Sequence, residues 1–195
     1  MRSLFNSRNA LFLLLVNIVI LSGCVAAAIG AATVTAIDIA TDRRTTGTYI
    51  DDNAVELSIR KEILADEGLR QNAHISVTAM NGVVLLTGQT PTQDQRDAVL
   101  TIARSFEETK QVINEVAIAG KAGLGSRSND SALTAKVKTR LYQNLKLDAN
   151  LVKVVTEDRT VYLMGLVKPT EADAAVEAAR TVRGVRKVVK VFEYI

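Results

Sequence analysis

Few residues in this 195-residue chain have chemistry of their own: one cysteine (Cys24), one histidine (His74) and a handful of close charge pairs. A single cysteine permits no internal disulfide, and a single histidine leaves no His/Cys set from which to build a metal cluster. His74 opens the apolar run HISVTAM with no second histidine or cysteine near it, a position suited to packing rather than catalysis. Asp51 and Asp52 are adjacent, so they point in different directions and read as the start of a helix rather than an acid–base couple. Ser126-Arg127-Ser128 falls in a glycine-rich joint, and neither a phosphate-cradling loop nor a nucleophile elbow occurs. The expectation is therefore a protein that is no enzyme and holds no metal. Two features remain: the Cys24 thiol, and Lys136 with Arg140, whose i,i+4 spacing puts two cations on one helix face within reach of a shared phosphate.

What surrounds Cys24 gives its thiol a purpose. Arg2 and Arg8 precede the apolar run Ala10–Leu21, and Ser22-Gly23 supply small residues before the cysteine, the layout of a secretory signal peptide. No charge occurs from Ala10 through Ile37, a length that could span a membrane, but the leucine-rich part stops at Leu21 and VAAAIGAATVTA inserts weakly. LSGC resembles the lipobox of bacterial lipoproteins. That resemblance implies cleavage after Gly23, diacylglycerol on the Cys24 sulfur and an acyl chain on its new amine, with no other cofactor. Three acyl chains exceed the two signals that stable anchoring requires. Val25, where inner-membrane lipoproteins carry Asp, implies the periplasmic face of the outer membrane.

The rest of the chain repeats itself at a period of 78 to 76 residues. DDNAVELSIRKEIL is answered by NDSALTAKVKTRLY, VVLLTGQTPT by VYLMGLVKPT, and ARSFEETKQVINEV by ARTVRGVRKVVKVF. Each copy reads as helix, strand, strand, helix, strand, an α+β unit. Asp52 and Asp130 stand where an N-cap belongs, ahead of the one-face stripes Val55, Ile59, Ile63 and Leu133, Val137, Leu141, Leu145. Asn81-Gly82 between β-branched runs is a strong hairpin signal, whereas Glu157-Asp158-Arg159 leaves the second turn open. The expected boundaries are 1–23 for the leader, 24–50 for a lipidated tether, 51–119 and 129–195 for the two copies, and 120–128 for a Gly/Ser linker. A flexible tether of that length would reach roughly 25 to 30 Å. So small a unit buries little surface, so the copies are expected to pack on each other or on a partner.

LSGCVAAA, the paired repeats, VLLTGQ, GLG before SND, and VYLMGLV together resemble the dual BON-domain outer-membrane lipoproteins. The resemblance implies two tandem BON domains and binding of anionic phospholipid such as phosphatidylglycerol or cardiolipin, chiefly by the second. It also implies support of outer-membrane integrity near the division site. The family's Gly-Val before the last strand is kept as Gly184-Val185 but replaced by Glu108-Thr109 in the first copy.

Charge divides the copies independently. Residues 51–119 hold 6 basic and 11 acidic side chains, residues 129–195 hold 12 and 8, so the formal charges are −5 and +4. Nothing in the overall basicity argues for nucleic acid. On the first helix of the second copy, Ala132, Ala135, Lys136, Thr139, Arg140 and Gln143 form the outward face at 100° per residue, with Tyr142 nearer the core side. Small residues there permit close approach of a surface, and each cation near anionic lipid is worth about 1 kcal/mol. The matching face of the first copy, Ala54, Leu57, Ser58, Lys61, Glu62 and Ala65, cancels its own charge. The rival expectation is an adaptor whose acidic first copy holds a protein of envelope assembly, cell-wall remodelling or division.

Overall fold

The computed structural model describes residues 43–145 and 147–195; the leader, Cys24 and the tether up to residue 42 lie outside the described residues. Helix α1 (Thr46–Ala65) opens the first copy and α4 (Leu124–Tyr142) the second, both earlier than the aspartates imply. Thr45 is the N-cap of α1, its hydroxyl accepting from the Thr48 amide at 3.1 Å, and Gly123 occupies that place for α4. Asp52 and Asp130 are therefore not N-caps. They sit in the second turn, only 4% and 5% exposed, because each carboxylate has a different task. Asp52 accepts from the amides of Asn81 (2.7 Å) and Gly82 (2.8 Å), and Asp130 from those of Asp158 and Arg159 (both 2.9 Å).

Those amides belong to hairpin turns. β1 (His74–Met80) and β2 (Val83–Thr90) pair antiparallel through Asn81-Gly82; β4 (Lys153–Glu157) and β5 (Thr160–Val167) pair through Asp158-Arg159. All four turn residues have positive φ (55°, 80°, 43° and 61°), as a two-residue hairpin turn requires. Glycine relieves that strain in the first copy only. In the second, two side-chain-bearing residues adopt it because a buried carboxylate binds both of their amides, a charge-assisted pairing. The turn that lacked a sequence signal is thus specified from a helix nearly thirty residues away.

Each hairpin continues through a helix into a parallel third strand. α3 (Gln93–Arg104) leads to β3 (Gln111–Ile118) beside β2, and α5 (Pro169–Arg180) leads to β6 (Lys187–Tyr194) beside β5. Both sheets have the order first-second-third, with the middle strand flanked on either side. Thr92 caps α3 through the Gln95 amide, and Glu171 caps α5 by accepting from the Lys168 amide at 2.8 Å. One element has no counterpart in the sequence reading: a short α2 (Glu67–Asn72), capped by Asp66, turns the chain between α1 and β1. In the second copy it shrinks to a 3-10 turn at Ala149–Leu151 capped by Asp148. The connecting segment begins at Gln143, so Leu145 leaves the apolar stripe and is fully exposed.

Three cores follow. Val55, Ile59 and Ile63 of α1 meet Val84 and Leu86 of β2 and Val99 of α3; Val137 and Leu141 of α4 meet Val161 and Leu163 of β5 and the alanines of α5. The third core is made by neither copy alone: Met80, Val83 and Leu85 pack on Tyr162, Met164 and Val191. The sheets thus lie face to face, with helices outside, in four layers. This explains why VVLL and VYLM show no alternation, since strands buried on both faces read as continuous apolar runs. Polar contacts ring the joint: Gln89 donates to Glu157 at 2.6 Å, Asn81 to Glu193 at 3.0 Å, Tyr162 to Glu115 at 3.3 Å, and Lys153 reaches Glu56 at 3.2 Å. Burial pushes the Glu157 carboxyl and the Tyr162 hydroxyl above their ordinary pKa values. The expectation that the copies pack on each other is met.

The segment entering α1 joins both copies. Arg44 pairs with Asp52 at 2.5 Å and lies over the Tyr49 ring at 5.1 Å, inside the first copy. Arg43 crosses to the second, where its guanidinium forks onto both Glu171 oxygens at 2.7 Å and onto the Leu166 carbonyl at 3.1 Å. The last part of the expected tether, from residue 43 on, is consequently helix and staple. The Arg43 hydrogen bonds hold the Glu171 carboxyl at about 2. Glu171 therefore contributes stability that is complete above its unfolded value near 4.5 and lost as pH falls toward 2.

Two outcomes follow from this geometry. Asp130→Ala lowers stability by about 3 kcal/mol in urea denaturation, the scale expected for a lost charged acceptor of two buried amides, and Asp158→Asn with Arg159→Gly recovers part of it. Arg43→Ala flattens the acid limb of the thermal midpoint between pH 4.5 and 2, leaving the neutral limb less affected; an unchanged acid limb would remove the staple from the stability account.

Candidate functional site

Helix α4 buries Leu133, Val137 and Leu141 against its own sheet, which turns the opposite face outward. Ala132, Ala135, Lys136, Thr139, Arg140 and Gln143 are all exposed there, as their spacing requires. Thr139 donates its hydroxyl to the Ala135 carbonyl at 2.9 Å, so this side chain is occupied within the helix. Gln143 is the C-cap, past the last helical residue. Tyr142 is not on the core side: it is 62% exposed, and its hydroxyl donates to the Asn150 amide oxygen at 2.9 Å. The helix ends at Tyr142, so no further turn packs over the ring. Cys24 lies outside the described residues.

The fold adds two cations that helix periodicity alone could not supply. Lys136 borders a shallow depression of about 230 Å³, together with Asn129, Leu133, Gly184, Arg159 and Arg183. Arg159 comes from the β4–β5 turn and Arg183 from the loop between α5 and β6. Arg159 donates from Nε to the Gly184 carbonyl at 3.1 Å, which ties the turn to that loop. Gly184 has φ 110°, a left-handed conformation that suits glycine, at the point where the loop passes Leu133 of the helix. Three cations from three segments thus converge, while Arg140 extends the same helix face one turn further on.

The first copy has the same depression with its charge changed. About 200 Å³ in size, it is lined by Thr48, Asp51, Asp52, Val55, Gly82, Glu108 and Lys110. When the repeats are placed in register, Asp51 stands for Asn129, Ser58 for Lys136, Gly82 for Arg159, Glu107 for Arg183 and Glu108 for Gly184. Lys110, the cation here, donates to the Asn81 carbonyl at 2.9 Å. Asp51, Val55, Gly82 and Glu108 line this depression as their counterparts Asn129, Leu133, Arg159 and Gly184 line the other, whereas Ser58 and Glu107, the counterparts of Lys136 and Arg183, do not. Electrostatically the pair is a concave cationic site and its acidic image, and concave walls strengthen the local potential.

Among the described residues no three His, Cys, Asp or Glu side chains gather as metal ligands, and no helix is long and apolar enough to cross a membrane. The BON domain profile matches residues 51–120 and again 129–195. The outer membrane lipoprotein DolP of Haemophilus influenzae is 38% identical over 185 residues, 95% of each chain. A 21 kDa hemolysin of Actinobacillus pleuropneumoniae is 40% identical over 79% of each chain, and the osmotically-inducible protein Y of Escherichia coli 28% identical over 73% of this chain and 72% of that one. A doubled αββαβ unit, its two profile matches and an outer-membrane relative spanning nearly the whole length agree: the chain belongs to the family of dual BON-domain outer-membrane lipoproteins.

Proposed function

We propose that this protein is a non-catalytic lipoprotein, anchored through acyl chains on Cys24, whose second BON domain binds anionic phospholipid and thereby supports outer-membrane integrity near the division site. The observation that carries the reading is the convergence of Lys136, Arg159 and Arg183 around one depression, beside the exposed Lys136–Arg140 helix face. A phosphodiester headgroup presents one negative charge and acceptor oxygens, which guanidinium and ammonium donors match. Ala132 and Ala135 keep that face low, so the helix can lie close to a headgroup layer. The face has no tryptophan and its nearest aromatic, Tyr142, points outward, so electrostatics supplies most of the attraction and binding is salt-sensitive. The acidic depression of the first copy cannot make the same contact, which gives the two copies different work.

A specific feature favours the adaptor as a second activity. Ile50, Leu57 and Leu64 are 60%, 65% and 53% exposed, seven residues apart along one side of α1. An apolar line on an acidic domain suits a basic amphipathic segment of an envelope protein rather than an anionic membrane.

Phosphatidylglycerol vesicles separate these readings. The chain from residue 24 onward carrying Cys24→Ser, which cannot be acylated, binds such vesicles at low salt. Lys136→Gln with Arg140→Gln, or Arg159→Gln with Arg183→Gln, each weakens binding roughly thirtyfold, at about 1 kcal/mol per cation. No binding by the parent chain, together with a protein partner recovered by crosslinking, assigns the role to the adaptor instead. For the anchor, Cys24→Ala abolishes lipid labelling and leaves an unprocessed precursor in cells; processing at another position would refute Cys24 as the acylated residue.

A further inference from the structure

A second cationic cleft lies in the first copy, away from the α4 face. It has a volume of about 170 Å³ and is bordered by Arg60 of α1, Arg70 of α2, His74 at the start of β1, and Lys121 and Arg127 at the joint between the copies. At about 30 Å³ per water it has room for five or six waters, hence for a small oxyanion. Its apolar floor is Ile63, Leu69 and Ala73, so a bound charge there is only partly screened.

The cations are not equally engaged. Arg60 pairs with Glu56 at 2.9 Å, and Arg70 stands 3.8 Å from Glu67. Lys121 and Arg127 enter no hydrogen bond or ion pair through their side chains among the described residues. The Arg127 Nε is shielded from solvent and has no acceptor, a buried unpaired donor of the kind that costs on the order of 1–3 kcal/mol. Arg127 lies in the first turn of α4, so the helix fixes the position of its backbone at the cleft. An orphaned guanidinium donor and a neighbouring lysine in one cleft, with Arg60 and Arg70 at its border, have a common chemical complement.

We infer that this cleft is an oxyanion site of the phosphate class, with Arg127 and Lys121 as its principal donors and His74 at its wall. The site lies on the joint between copies. Ala122, next to Lys121, donates its amide to Gln89 at 3.2 Å, and Gln89 in turn donates to Glu157 of the second copy. An occupying anion therefore braces the linker against the first copy. The shared chemistry fits either free phosphate or the phosphodiester of a lipid headgroup. The inference is independent of lipid binding by α4, since the two depressions have no lining residue in common.

His74 reports the occupancy. Desolvation, then Arg127 and Lys121, lower its pKa, so it is mostly neutral near pH 7. The charged groups around it are Arg60 and Glu56 of α1, Arg70 and Glu67 of α2, Lys121 of the linker, Arg127 of α4 and, acting on Arg127, Glu157 of β4. An anion between His74 and the two cations raises the histidine pKa. His74 is the only histidine in the chain, so its ring signals in NMR are unambiguous.

The test titrates the Cys24→Ser chain from residue 24 with sodium phosphate, against sodium chloride at equal ionic strength, and follows the His74 ring signals and their pH midpoint. Saturable shifts and a raised midpoint are expected with phosphate, and at least a tenfold weaker response in Arg127→Gln and in Lys121→Gln, with thermal midpoints retained in both. Glycerol phosphate and phosphatidylglycerol vesicles form the other arms: competition by vesicles marks a lipid headgroup as the occupant, and a phosphate response indifferent to vesicles marks a free anion. The inference is overturned if phosphate and glycerol phosphate act no differently from chloride, or if the response survives in both variants. Lys136→Gln with Arg140→Gln leaves the response intact, which keeps this outcome separate from that of the α4 face.

Discussion

The middle strand of each copy is apolar on both faces, and the rest of the architecture answers to that constraint. Val84 and Leu86 need the helices of their own copy, Val83 and Leu85 need another apolar surface, and the corresponding residues of β5 make the same two demands. A lone copy would leave an apolar sheet face in water, where each side chain of that size forgoes about 1.5–3 kcal/mol of burial. Face-to-face packing of the sheets meets both demands at once. It places all helices on the outside and turns α1 and α4 toward solvent. Surface chemistry in this protein is therefore carried mainly by helices and loops.

The buried aspartates extend the same logic to the hairpins. A two-residue turn in the left-handed region leaves two amides in need of acceptors, and Asp52 and Asp130 provide them from the helix above. Each carboxylate couples helix, turn and both strands, so the position of α4 relative to Arg159 is set by the fold and not by loop chance. The cationic depression inherits its geometry from this coupling. Arg159 is held on one side by Asp130 at its backbone and on the other by Gly184 at its side chain, which explains how a turn residue can serve as a fixed donor.

How much of this could be read from residues alone varied with the range of the interaction. The doubled αββαβ order was legible because it rests on local periodicity and repetition. The role of Asp52 and Asp130 was not, because an aspartate at the head of an apolar stripe has the same local signature whether it caps its own helix or a distant turn. Leu145 and Tyr142 were misplaced for a related reason: a 3.6-residue pattern carries on in the sequence whether or not the helix does, and α4 ends at Tyr142. Of the site, the exposed face from Ala132 to Gln143 was legible from angle alone. Arg159 and Arg183 were not, since they reach Lys136 only through the turn and the α5–β6 loop.

Duplication followed by charge divergence accounts for what the two copies can do differently. Both depressions sit at the same place in the unit, where helix, hairpin turn and last loop meet, so the backbone builds a concavity in each irrespective of side-chain chemistry. Changing the residues at and around it from Asp51, Ser58, Gly82 and Glu107 to Asn129, Lys136, Arg159 and Arg183 alters the local field without touching either core. Such substitutions carry little stability cost, because exposed rim residues contribute little to folding. The packed sheets then fix the orientation of one surface relative to the other. In a family of outer-membrane lipoproteins this matters, because an anchor alone confers proximity to a membrane but no orientation. A fixed pair of unlike surfaces supplies the orientation: with the sheets packed, the cationic depression cannot turn without carrying the acidic one with it.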